Sequence, residues 1–158
     1  MTGTKHLLES AMTKDEIVDT LNDLIQITED SHEGYRKSAE DAEEQDLKSL
    51  FNDLSAQRGA MVRDLQKHVA EQGGAPEASG TVLGGAHRFF VGLKSSVLGR
   101  DRTAILQEVE RGENEAIRRY ERALDKDLPA HLAGVISQHL ARLQSDRDRV
   151  ASINKASA

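Results

Sequence analysis

The chain has 158 residues, enough for one domain whose continuous hydrophobic core needs neither disulfides nor structural metal. Aromatic residues make up 3% and Trp is absent, while Ala, Leu, Glu, Asp, Arg and Gln dominate, a balance that favours helices over strands and sets an all-α class. With 27 acidic against 21 basic residues the formal charge is -6, which argues against general nucleic-acid binding; the lack of Cys excludes thiol nucleophiles, thiol redox couples and Cys-ligated zinc or iron–sulfur sites.

Residues 1–13 hold no apolar run of signal-peptide length, and no stretch is long and apolar enough to cross a membrane, so a cytoplasmic protein without integral membrane association is expected. Residues 1–12 lack periodicity and read as a flexible tail, with Met12 an alternative start. The domain proper is expected over residues 13–154.

The first helix opens at Thr13 and Glu16, which stand at capping-box spacing, and carries Ile17, Leu21, Leu24, Thr28, Tyr35, Ala39 and Ala42 at intervals of three and four. After the polar stretch Glu43, Glu44, Gln45 and Asp46, a second helix runs through Leu47, Leu50, Phe51, Leu54, Met61 and Leu65 to Gly73 and Gly74. So short a connection makes the two helices antiparallel neighbours. Residues 73–85, with Pro76, read as a loop, and a short amphipathic helix from His87 to Leu98 follows, closed by Gly99. Asp101 caps a third long helix with Ile105, Val109, Ala116, Tyr120 and Ala123 on its apolar face. Asp127 and Pro129 start the fourth, which continues through Leu132, Val135, Ile136, Leu143, Val150 and Ile153. The result is two helical hairpins joined by roughly 28 residues, far more than neighbouring bundle helices need and enough to cross the length of a bundle. Two hairpins with one long crossover containing a short helix is the connectivity of an antiparallel, ferritin-like four-helix bundle.

Each apolar stripe is interrupted near its middle. His32 interrupts the first helix, with Glu29 and Glu33 beside it; Gln57 and Arg58 interrupt the second; Gly112 and Glu113 the third, with Glu110 at the edge; His139, then Asp146 or Arg147, the fourth. His32 and Arg58, like Glu113 and His139, each lie about a dozen residues from their hairpin turns, so one polar layer at mid-bundle is expected. Groups buried there must find partners, water or a metal. Ferritin-like di-iron centres use a Glu on each of two helices and Glu-x-x-His on each of the other two, and neither the second nor the fourth helix carries that motif. Arg58 also brings a fixed positive charge. The favoured reading is a structural Arg58–Glu113–His network with no cofactor; the alternative is a degenerate metal site of His32, Glu113 and His139 holding iron or manganese.

The chain resembles a family of uncharacterised bacterial four-helix-bundle proteins, grouped as a domain of unknown function within the ferritin-like superfamily. The resemblance covers about residues 14–153 and rests on Leu21-Asn22-Asp23-Leu24-Ile25, Glu33-Gly34-Tyr35-Arg36, the segment Gly73 to Pro76, His87-Arg88 and Glu110-Arg111-Gly112-Glu113. It implies the fold and no activity. Gln57 stands where that family tends to carry Glu, and Asp146 near where it tends to carry His, departures that weaken any iron site.

The function expected is a non-enzymatic, stress-associated scaffold or interaction protein that forms homo-oligomers, with no nucleic-acid partner. Its candidate interaction surface is residues 82–100, where Phe89, Phe90, Val91 and Leu93 mix with His87, Arg88, Lys94 and Arg100; the favoured reading of those apolar residues is packing across the bundle, with any left over forming an oligomer contact. The alternative is a metal-binding protein with ferroxidase or peroxide chemistry. A third reading, that same basic and aromatic segment as an anchor for anionic membrane or nucleic acid, ranks last. His6, His68, His87 and His131 read as scattered and as solvent-facing or cap-adjacent.

Overall fold

The computed structural model describes residues 11–76 and 101–157, and there it is all-α. Four helices are present among the described residues: α1 (Lys14–Asp41), α2 (Gln45–Glu71), α3 (Arg102–Leu124) and α4 (Ala130–Ser157). No strand occurs among the described residues. The expected crossover helix at residues 87–98, with its aromatic surface, lies outside them, as do the first ten residues of the tail. Among the described residues no helix is long and apolar enough to cross a membrane.

The helix ends follow from local chemistry. Thr13 Oγ1 accepts the Glu16 N–H and Glu16 Oε1 accepts the Thr13 N–H, each at 3.1 Å, so the capping box starts α1 as its spacing requires. The end of α2 is a Schellman turn. Gly73 has φ 77°, its N–H reaches Ala70 O at 2.9 Å, and the Gly74 N–H reaches Val69 O at 3.0 Å. Gly74 has a second constraint, because a Cβ there would stand 2.7 Å from the methyl groups of Val18. Asp101 caps α3 by accepting the Ala104 N–H at 3.2 Å. Pro129 stands just outside α4 and offers its carbonyl to Ala133 N at 3.0 Å, so the helix starts one residue after the proline that was expected in its first turn.

One core unites the helices. Leu21, Ile25, Phe51, Leu54, Leu65, Leu106, Val109, Leu132 and Ile136 are among its fully enclosed residues. The apolar positions expected in these four helices are buried, except Val135 and Ile153, which are half-buried. Val135 precedes Ile136 by one residue and is therefore turned about 100° away from the stripe that faces the core. Packing is closest between α1 and α2 and between α3 and α4, and the pairs join through α1 against α3 and α2 against α4.

Contacts at the helix ends define which ends are neighbours. Asn22, early in α1, donates to Ala75 O beyond α2, and Lys48, early in α2, donates to Ala39 O late in α1. Lys126, just past α3, reaches Thr20 Oγ1 at 3.0 Å. At the other end Arg102, the first residue of α3, donates to Asp46 Oδ2 at 2.6 Å and to Ser157 Oγ at 2.9 Å.

A buried arginine with two carboxylates

Arg58 occupies an α2 position between Leu54 and Met61 that the helical period turns inward, and it is 0% exposed. A guanidinium in an apolar interior needs opposite charge and well-aligned acceptors, because its charge cannot be shed. Two other helices supply them. Arg58 Nη2 donates to Glu113 Oε2 on α3 at 2.6 Å, and Nη1 donates to Asp146 Oδ2 on α4 at 2.9 Å. The same Nη1 lies 3.8 Å from Met61 Sδ.

From α1, Tyr35 completes the group by donating its hydroxyl to Glu113 Oε1. Its ring lies 6.0 Å from the guanidinium carbon and stacks on Phe51 at 6.1 Å between centroids. All four helices thus contribute one polar side chain to a single layer. Glu113 has both oxygens engaged, one by a fixed cation and the other by a neutral donor.

Burial sets the protonation states. Enclosure, reinforced by the Glu113 charge, holds the Tyr35 hydroxyl well above its usual range, so it remains a phenol that donates. Burial opposes the charge on Arg58, but the Glu113 and Asp146 carboxylates outweigh it and raise the guanidinium above its ordinary value. Tyr120 is pushed up to about 12 by burial, against the hydrogen bond with Thr28 Oγ1 at 2.7 Å that lowers it.

The histidines expected in this layer stand at its margins. His139 Nε2 meets Asp64 Oδ2 of α2 at 2.9 Å, and its ring lies 6.2 Å from that of Tyr120. Burial lowers its pKa, although Asp64 acts to raise it. His32 lies in the seam between α1 and α2, with Nδ1 2.7 Å from Ser55 O and its ring over Gly59, where a Cβ would come within 3.1 Å of Cε1. The arrangement brings Glu113 together with Arg58 and gives His32 and His139 separate partners. Gln57 turns outward, donating to Asp53 and accepting from Arg142 Nε at 2.8 Å.

Sequence reasoning left Asp146 and Arg147 as alternatives for the last inward polar position of α4. Asp146 stands three residues after Leu143 and seven after His139, on the buried stripe, while Arg147 turns to Asn114 and Asp148. Spacing alone leaves both open, since each stands three or four residues from Leu143 and Val150; the seating of α4 opposite Arg58 selects Asp146. The Asp64–His139 and Tyr35–Glu113 pairs likewise join helices whose relative rotation is not written in either helix alone.

A di-iron centre would require carboxylates and imidazoles converging on a common point with lone pairs free. Here the carboxylates of the layer, Glu113 and Asp146, converge on a guanidinium, whose permanent charge repels a second cation. The donor set does not fit that group.

Among the described residues, fold and layer together define an all-α arrangement of four helices with a cation built into its core. The chain belongs to the family described as Domain of unknown function (DUF2383), whose model matches residues 16–126. The match takes in Tyr35, Arg58 and Glu113 and ends before His139 and Asp146. Comparison with curated proteins finds no match.

Proposed function

We propose that this chain is a non-enzymatic scaffold or interaction protein of ferritin-like form, in which a guanidinium takes the central place that metal ions hold in ferritins. Two antiparallel hairpins and one long crossover make up the form. Its support is the pattern of neighbouring ends: α1 begins where α2 finishes, and α3 begins beside the first residues of α2, so the connecting segment returns along the bundle. The observation that carries the functional reading is the enclosed Arg58 held by Glu113 and Asp146. Such a layer fixes how four helices seat against one another and offers no exchangeable position to a substrate. Polar groups buried with matched partners serve specificity of packing in several systems.

The test is Fe(II) titration and elemental analysis of protein purified without chelator, as wild type and as Glu113→Ala. The expected result is no stoichiometric iron or manganese dependent on Glu113 and no ferroxidase activity. Iron or manganese bound by wild type and lost in the variant would replace this reading with redox chemistry in the layer.

A further inference from the structure

His68 and His131, distant in sequence, meet at one end of the molecule. Their ring centroids are 5.7 Å apart, with an interplanar angle of 60°. Glu71 joins them, and one ligand atom from each of His68, Glu71 and His131 lies within 4.8 Å of the others. From this constellation we infer a binding site for one borderline divalent transition metal, of the zinc type, bridging the last turns of α2 and the first turn of α4. Two imidazoles and one carboxylate form a donor set that suits such ions, and three protein ligands leave a further position for water.

Ion pairs on one helix are common without metal, and Glu71 with His68 is an i, i+3 pair at 3.2 Å. Two features go beyond such a pair. The second imidazole comes from a different helix, so the folded state, and not local sequence, assembles the trio. His68 also has a carboxylate behind it: its Nδ1 faces Glu71 while its Nε2 lies 3.6 Å from Asp64 Oδ1, a charge contact longer than a hydrogen bond. Asp64 is in turn fixed through Oδ2 by His139 at 2.9 Å. A carboxylate behind the imidazole is the usual support of a metal-binding histidine, since it selects the tautomer that presents the other nitrogen to the ion. The His68 side chain is only 12% exposed, so its ring is held, while Glu71 at 48% remains open to an arriving ion.

A second trio, Glu29, His32 and Glu33, serves as the internal comparison. Its three residues lie on α1 alone, Glu33 is held by Arg36 at 3.0 Å, and His32 Nδ1 is spent on Ser55 O. The arginine charge beside Glu33 opposes a cation there.

The experiment is calorimetric titration of the full chain with zinc chloride at pH 7.5, in wild type, His131→Ala, Glu71→Gln, Asp64→Asn and His32→Ala. One zinc per chain is expected, with at least tenfold weaker binding in the His131 and Glu71 variants. Asp64→Asn, which removes the charge near His68 Nε2, weakens binding less than either ligand variant, and His32→Ala leaves binding unchanged. His131 and Glu71 are exposed, so their variants should melt like wild type by circular dichroism without zinc. Absence of zinc binding, binding unchanged by His131→Ala, or binding lost in His32→Ala each overturns the assignment. Because the readout is zinc at the bundle end and not iron dependent on Glu113, either outcome is separate from that of the scaffold reading.

Discussion

Arg58 is the residue whose removal has the clearest consequence. In Arg58→Met the chain keeps a side chain of similar length, but Glu113 and Asp146 remain enclosed without their common cation. Breaking a buried ion pair from one side costs about 3–5 kcal/mol, because the stranded charge must be neutralised or solvated. Urea unfolding followed by circular dichroism should register a loss of that order. Adding Glu113→Gln and Asp146→Asn removes the stranded charges, and the triple variant should recover most of it. A triple variant no more stable than Arg58→Met would mean that the loss comes from packing around the guanidinium and not from charge. At this scale the sequence was informative about which residues turn inward, since Arg58, Glu113 and His139 interrupt apolar stripes at helical spacing. It was less informative about partners. Whether Glu113 meets Arg58, a histidine or a tyrosine depends on rotations of one helix about another, and a hydrophobic period does not encode them. His68 and His131 illustrate the same limit: read one at a time they look like isolated surface residues, and only the seating of α4 against α2 brings their rings to 5.7 Å.

Among the helices, two glycines predict opposite signs for the same substitution. Gly73 ends α2 at φ 77°, a conformation in which a Cβ crowds the backbone, and that Cβ would also stand 2.9 Å from Lys14 Nζ. Gly73→Ala should therefore destabilise by about 1–2 kcal/mol, the left-handed penalty, with the flexible lysine end yielding. Gly134 lies exposed within α4, and a Cβ there meets nothing within 4 Å. Gly134→Ala should stabilise by about 0.5–1 kcal/mol, since it relieves the entropy cost of glycine in a helix. Thermal melts of the two variants beside wild type give the comparison, and a stabilising Gly73→Ala would remove the Schellman turn as the reason for that glycine. The elements themselves were legible because their signals are local. The Thr13 capping box, the Gly73 stop and the Asp101 cap each act within one turn. The start of α4 was less sharply marked, since Pro129 fits both the first helical position and the residue before it.

For the whole molecule the open question is the path from α2 to α3. Within each pair a short loop leaves little choice, but the long connection could join α2 to α3 at the same end or at opposite ends, and the helices would bury similar faces either way. The end contacts favour opposite ends. Arg102, which opens α3, is bonded to Asp46, which lies in the first turn of α2, while the far end of α2 reaches the beginning of α1. This has a direct measurement, helped by the absence of Cys from the chain, which lets two introduced thiols be labelled without background. Ala70 and Asp101 are both exposed. With Ala70→Cys and Asp101→Cys carrying spin labels, a crossover along the bundle places the labels on the order of 40 Å apart, the length of a helix of α2's size at about 1.5 Å per residue. An up-and-down arrangement would bring them to about 10–15 Å, little more than the separation of neighbouring helices with their labels. A pulsed dipolar distance distribution centred near the larger value supports the ferritin-like path. One centred near the smaller value would mean that Arg102 and Asp46 are not neighbours in solution, and the scaffold reading would lose its architectural basis while the Arg58 layer could still stand.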